Sequence, residues 1–221
     1  MFMIRYLFLF ASVWMFLAEP AMAKIGEIVE TDGKVQIRTA KAKKLIAEPG
    51  LVIGVMDMVK VRKQSIAHFK MIDNSKFQIA SSTTVVFDEF VFDEKKQRLT
   101  ARILDGVLAF DGKKLKTDSQ RKFVSGGYTL TVRGTKFAGS FGRTNKVILL
   151  QGSINVSGGG SSVDLIGPMT SIKFDQKGIG AVEKVTIDEV KNWFMDVGLD
   201  FKRLVGAGFE ENLKGGSLAV D

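Results

Sequence analysis

Few residues in this chain have side chains suited to catalysis. There is one histidine, His68, and no cysteine. A thiol nucleophile, a disulfide, an iron–sulfur cluster and thiolate-bound zinc are therefore all excluded. One imidazole also excludes, within one chain, the catalytic zinc sets that need two. A Ser-His-Asp triad would have to pass through His68, which lies in the alternating stretch Ile66-Ala67-His68-Phe69-Lys70-Met71. A surface or hydrogen-bonded histidine accounts for that setting better than a general base does. The acidic pairs Asp88-Glu89 and Asp93-Glu94 are the other acid–base candidates, since two carboxylates flanking one bond hydrolyse glycosides. Neighbours along a strand point to opposite faces, however, and Asp93-Glu94-Lys95-Lys96 reads as a charged turn. The sequence contains no Walker A loop, no dinucleotide-binding fingerprint and no Gly-x-Ser-x-Gly elbow. Asn155-Val156-Ser157 is a formal glycosylation sequon, a pattern too common by chance to use. We therefore assign no catalytic, cofactor-binding or metal-ligating residue, and expect a binding or structural module without a cofactor.

Composition supports a folded scaffold. The chain has 221 residues, 45% hydrophobic and 25% charged, with three prolines, as a globular protein has. Its formal charge is +8. The lysines are scattered, as at Lys41, Lys43 and Lys44, at Lys60 and Lys63, and at Lys113, Lys114 and Lys116. Most fall at presumed turns, the pattern of a solvated surface rather than of a nucleic-acid site. Arg5, the apolar run Tyr6–Ala18, the break at Glu19-Pro20 and the small residues of Ala21-Met22-Ala23 make residues 1–23 a signal peptide. The run is shorter than the roughly 20 residues of a spanning helix. Cleavage after Ala23 would leave no transmembrane anchor and place the chain in the periplasm or outside the cell. There a basic surface meets anionic wall or outer-membrane polymers, or an acidic partner, rather than nucleic acid.

From Gly26 to about Phe174 the chain reads as many short strands. Examples are Lys34–Arg38, Asp57–Arg62, Lys76–Ile79, Thr84–Phe87, Tyr128–Val132 and Lys146–Leu150, alternating or rich in β-branched and aromatic residues. Asp-Gly, Asp-Asn-Ser and Gly-Gly turns separate them. One pattern recurs: acidic or amide, glycine, x, apolar, x, apolar. It occurs at Asp32-Gly33, Asp105-Gly106 and Gln151-Gly152, at unequal intervals. Each copy is a glycine turn launching a half-buried strand. An irregular coil of strands and a β-sandwich fit this equally well.

Several segments, in order, resemble the FecR-like periplasmic domain. The run Gly26–Arg38 is similar to its opening strands. Glu48–Ile53, Met56–Val61, Ser65-Ile66-Ala67 and Met71–Ala80 follow in the family's order, with Asn74 where glycine is common. The most specific match is Leu130–Phe137, close to the family's Val-Arg-Gly-Thr-x-Phe motif, and Val147–Val156 resembles the element after it. The resemblance implies an all-β, solenoid-like coil of short strands over residues 24–180. It makes Arg133, Gly134, Thr135 and Phe137 signature residues. Their types suit a tight corner, with a local hydrogen bond from threonine and an arginine directed at a carboxylate or carbonyls.

Residues 181–221 differ in kind. Thr186-Ile187-Asp188-Glu189 is a capping box. Ile187, Val190, Phe194, Val197, Phe201 and Leu204 then recur alternately three and four residues apart. This predicts one amphipathic helix ending near Gly206, with Met195 and Leu199 facing away from the seam and a flexible tail through Gly208, Gly215 and Gly216. The helix either lies along the β domain or presents Trp193, Phe194, Val197 and Phe201 to a partner. Well-known members of the family carry a cytoplasmic sigma-binding arm before a membrane span. Only five residues precede the apolar run here, so no such arm is expected. The expected function is a non-catalytic periplasmic interaction module that binds another envelope protein. The alternative is a module that binds peptidoglycan or lipopolysaccharide.

Overall fold

The computed structural model describes residues 24–93, 96–114 and 119–214. The predicted signal peptide and the last tail residues, Gly215 and Gly216 among them, lie outside the described residues. The first eight strands are β1 (Lys24–Asp32), β2 (Val35–Arg38), β3 (Lys44–Ile46), β4 (Val52–Gly54), β5 (Met58–Val61), β6 (Ile66–Met71), β7 (Lys76–Ile79) and β8 (Thr84–Phe92). Three long strands follow among shorter ones: β9 (Gln97–Asp111), β10 (Gln120–Ser125), β11 (Tyr128–Phe141) and β12 (Thr144–Gly158). Then come β13 (Ser161–Ile166), β14 (Thr170–Asp175), β15 (Gly178–Ile179) and β16 (Glu183–Lys184). The chain finishes with α1 (Ile187–Val197), α2 (Phe201–Val205) and α3 (Phe209–Lys214). The protein is thus mostly β with short C-terminal helices.

Hydrogen bonds join all the strands into one mixed sheet, and their register divides it into two ladders. The first runs β4-β1-β6-β7, then the C-terminal halves of β9 and β11, the N-terminal half of β12, and β14. The second runs β3-β2-β5-β8, then the N-terminal half of β9, β10, the N-terminal half of β11, the C-terminal half of β12, and β13. The inner faces of the ladders meet. Phe77 of the first stacks edge-on against Phe87 of the second at 5.6 Å. Phe123 of the second lies 5.0 Å from both Phe110 and Phe137 of the first. One continuous apolar core results, which the alternating residues of every long strand supply. The expected strand content is present. Winding of the coil type is seen at one step, β9 to β10, where the strands run parallel. The other pairs are antiparallel, and the pairings do not close into a coil.

The long strands cross from one ladder to the other without ending, and glycine makes the crossing possible. Gly106 in β9 (φ +105°), Gly134 in β11 (φ +52°) and Gly152 in β12 (φ +89°) stand where the register changes partner. Gly33 (φ +79°) does the same between β1 and β2. The recurrent glycines of the sequence are therefore crossing points. At Gly33, Gly106 and Gly152 a buried hydroxyl hydrogen-bonds the residue after the glycine. Ser65 Oγ accepts from the Lys34 amide at 2.8 Å, and Thr83 Oγ1 accepts from the Val107 amide at 2.7 Å. At the third crossing Thr135 Oγ1 donates to the Ser153 carbonyl at 2.9 Å. These clips satisfy backbone groups that bending removes from the ladder.

The predicted single helix is broken. Gly198 (φ +74°) ends α1, its amide donating to the Met195 carbonyl while the Leu199 amide donates to that of Phe194. This is a Schellman stop. It turns Leu199 inward, where it is buried, correcting its predicted outward direction; Met195 does face solvent. The apolar seam continues past the break in α2, which is why spacing alone did not reveal it. The tail beyond Gly206 is not loose throughout, because α3 follows and buries Phe209.

A Cβ at Gly106 would collide with the backbone and side chain of Thr83, whereas Gly127 (φ +85°) faces open space. Gly106→Ala should therefore cost more than Gly127→Ala in urea unfolding, by about 1–3 kcal/mol. Equal costs would show that the Gly106 crossing is not sterically closed.

Candidate functional site

Alternation fixes what the first ladder shows on its outer face. One cross-strand row reads Glu30, His68, Gln78, Ala109, Ala138, Ile148 and Ser171. The small residues at its centre admit large side chains from above. Val190 and Phe194 of α1, Leu199 of the link after it, Phe201 and Leu204 of α2, and Phe209 of α3 are buried there against Ala80, Ala109, Ala138, Ile148 and Leu150. Phe194 stacks edge-on against Phe201 at 5.3 Å, and Phe201 against Phe209 at 6.0 Å. At about 25 cal/mol per Å² of apolar surface, burial on this scale is what holds helices too short to be stable alone.

Polar contacts fix the helical clasp in place. The Gln78 side chain forms a paired bond with the Asp200 backbone, its Nε2 donating to the carbonyl at 2.8 Å and its Oε1 accepting from the amide at 2.9 Å. Asp200 caps α2 by accepting from the Arg203 amide at 2.9 Å. Arg203 in turn bonds Glu30 of β1 at 2.6 Å. Lys136 Nζ donates to the Leu204 carbonyl and to Asp111, both at 3.0 Å. Lys191 joins α1 to Glu210 of α3 at 2.6 Å.

Beside α2 the clasp leaves a groove of about 300 Å³, lined by Val29, His68, Lys70, Lys76, Arg203 and Leu204, with Gln78 and Asp111. His68 is 7% exposed, and its Nδ1 is buried with no hydrogen-bond partner. Burial, with the Arg203 guanidinium alongside, holds its pKa below the ordinary imidazole value; Glu30 and Asp200 pull the other way. Arg203 holds the exposed Glu30 carboxyl below its usual range. This arrangement offers cations and a neutral imidazole but no paired acid and base. Of the acidic pairs, Glu94 lies outside the described residues and the other three are engaged elsewhere. Asp88 bonds Arg102 at 2.7 Å, Glu89 lies 3.7 Å from Arg98, and Asp93 accepts the Lys96 amide in a turn. Among the described residues no group of three or more His, Asp or Glu is placed to hold a metal ion. None of their helices is long and apolar enough to cross a membrane.

The signature residues make a corner. Gly134 is the crossing of β11, where a Cβ would stand 2.9 Å from the Lys114 Cα. Thr135 is buried and its hydroxyl reaches the Arg133 and Ser153 carbonyls; Phe137 is buried in the core. Arg133 is exposed, and the expected carboxylate or carbonyl partner is not found among the described residues. Of the helix residues, Phe194 is buried within the chain and Phe201 nearly so, while Trp193 and Val197 are half-buried beside them. Lys146 lies 5.8 Å from the Trp193 ring. The seam thus packs on the chain's own sheet.

Sequence reading missed a buried ion pair. Arg121 of β10 donates to Asp73 at 2.9 Å and to the Lys113 carbonyl at 2.7 Å. Asp73 also accepts the Ser75 amide at 2.9 Å in a turn where Asn74 takes φ +63°. Asp57, likewise buried, accepts the Ala40 amide at 2.9 Å and that of Gly54 at 2.8 Å. The charged pattern of Asp73 signalled only a turn, because its partner lies far along the chain.

Comparison with known proteins agrees with this architecture. Residues 57–155 match the family model described as FecR protein. Two crystal structures of a candidate anti-sigma factor from Parabacteroides distasonis share the fold, each with a TM-score of 0.52 at 13% identity. The similarity covers 62% of this chain in both cases, and 64% and 63% of those chains. No curated protein matched the sequence.

Folding lowers the His68 pKa, so it favours the neutral imidazole. The associated stability is complete above the ordinary imidazole value of 6.5 and is lost as pH falls toward the lowered folded value. The melting temperature should therefore drop between about pH 7.5 and 5.5, and drop less in His68→Gln. Glu30, Glu189 and Glu210, all lowered from 4.5, act below this window. An identical drop in the variant would remove His68 as the cause.

Proposed function

We propose that the chain, whose residues 57–155 match the family model described as FecR protein, works as a non-catalytic protein-interaction module of the bacterial cell envelope. Residues 1–23 direct export, and cleavage after Ala23 leaves a periplasmic or secreted chain. Residues 24–180 then form the recognition domain, and residues 181–221 its clasp and tail. The partner is another envelope protein. The similarity in fold to a candidate anti-sigma factor supports a link to envelope signalling through that partner.

The observation that carries this reading is an edge. β3 pairs only with β2, and β4 only with β1, so both ladders expose unpaired backbone at the same end of the sandwich. Ile46 on β3 is 69% exposed and Val52 on β4 is 47% exposed. Free strand edges with large apolar side chains are aggregation hazards unless another chain adds to them. The lysine at the start of β3, Lys44, is a guard against indiscriminate pairing. Because the clasp seam packs in cis, the edge rather than the helix is the better docking surface.

A photo-crosslinking residue at Ile46 should trap one or a few envelope proteins in intact cells, and the same residue at the solvent-facing Met195 should not. Ile46→Asp, a change at an exposed site, should abolish capture from Val52. Capture from Met195 alone, or from neither position, would refute edge docking. Retention on purified peptidoglycan or lipopolysaccharide in the absence of any protein capture would favour the polymer-binding alternative.

A further inference from the structure

Lys70 of β6 stands directly opposite Lys76 of β7 on the outer face of the first ladder. Like charges at such a position repel, and the pair is destabilising in isolation. Nothing in the adjoining turn neutralises them, since the Asp73 carboxylate bonds Arg121 and Ser75 in the interior. On one side Lys70 faces Glu27 of β1, whose carboxylate bonds Lys24 at 3.0 Å; on the other Lys76 faces Asp111, which bonds Lys136 at 3.0 Å. Above this row, Arg203 is paired with Glu30 at 2.6 Å. With the Glu27, Asp111 and Glu30 carboxylates each bonded to another cation, Lys70 and Lys76 form no ion pair of their own among the described residues. Both border the groove beside α2, where the buried His68 Nδ1 also lacks a partner. An unpaired buried polar atom and a facing pair of like charges are local defects, which folded proteins keep mainly at functional sites.

We propose that this groove binds the phosphate group of a small phosphomonoester. Such a group carries a charge of about −1.5 to −2 near neutral pH and presents three acceptor oxygens. That charge matches Lys70 and Lys76 together, whereas a carboxylate would leave one of them uncompensated. The groove volume of about 300 Å³ is at the lower end for small-molecule sites, so the ligand portion it takes is small. Val29 and Leu204 supply an apolar wall for the carbon skeleton. Either a soluble phosphoester or the head of an anionic lipid presents this chemistry. The proposal is separable from edge docking at Ile46, which belongs to the other ladder, whereas Val52 of β4 lies two strands from Lys70, both standing opposite Glu27 of β1.

The chain's one histidine gives a direct readout, because its imidazole signals in NMR are unambiguous. Glycerol 3-phosphate is titrated into the purified full chain at constant ionic strength, with inorganic phosphate and sulfate in parallel. Saturable movement of the His68 signals is expected with both phosphates, and at least tenfold weaker binding in Lys70→Ala/Lys76→Ala. Both lysines are exposed and repel each other, so the double variant should melt no lower than the parent chain and keep its Ile46 crosslinks. Co-flotation with phosphatidylcholine vesicles containing phosphatidic acid would identify a lipid source; phosphate binding without co-flotation would identify a soluble one. No saturable shift with either phosphate, unchanged affinity in the double variant, or equal affinity for sulfate would overturn the proposal.

Discussion

Everything in this fold depends on how a bent strand disposes of its backbone hydrogen bonds. A strand that passes from one ladder to another must turn within two or three residues, and those residues leave both ladders. An unsatisfied buried amide or carbonyl costs about 1–3 kcal/mol, against a total domain stability of about 5–15 kcal/mol. A handful of uncompensated crossings would unfold the protein. The crossings at Gly33, Gly106 and Gly152 are compensated by Ser65, Thr83 and Thr135, buried hydroxyls within hydrogen-bonding distance of the residue after each glycine. At the opposite rim from Gly106, the Asp57 and Asp73 carboxylates collect turn amides, and Asp73 also receives Arg121.

Rigid crossings have a consequence for the outer surface. Because register is fixed, the small residues Ala109 and Ala138 fall together on one face and make a shallow bed for α1 and α2. Gln78 in the same row anchors the junction between those helices at Asp200. The clasp covers only part of that face, and in the charged row beyond it Lys70, Lys76 and Asp111 line the groove. The ends of the ladders remain uncovered. Core, clasp, groove and edges are thus successive results of where the chain is allowed to bend.

Local rules were readable in the sequence, and long-range placement was not. Alternation placed β2, β5, β6 and β7 because a half-buried strand shows its period over a few residues. The capping box at Thr186 and Glu189 was equally local, and it is formed. The glycine pattern marked turns, but Gly106 and Gly152 lie inside continuous strands, since a bulge and a turn ask the same of glycine. The stop at Gly198 escaped notice because the apolar spacing runs on through Phe201 and Leu204, which pack on the same surface from a second helix. Arg121 read as an ordinary strand arginine, and its burial on Asp73 requires the β9–β10 crossover to be known first. The facing lysines of the groove follow from the register of one hairpin, while Arg203 reaches them only through the clasp.

Amide hydrogen exchange tests the crossing clips most directly. The Val107 amide lies at a bend and bonds a side chain, Thr83 Oγ1, at 2.7 Å. If the clips are integral to the fold, this amide exchanges only through global unfolding, as slowly as the ladder amide of Phe110. Exchange of Val107 orders of magnitude faster than Phe110, by local opening, would contradict the account.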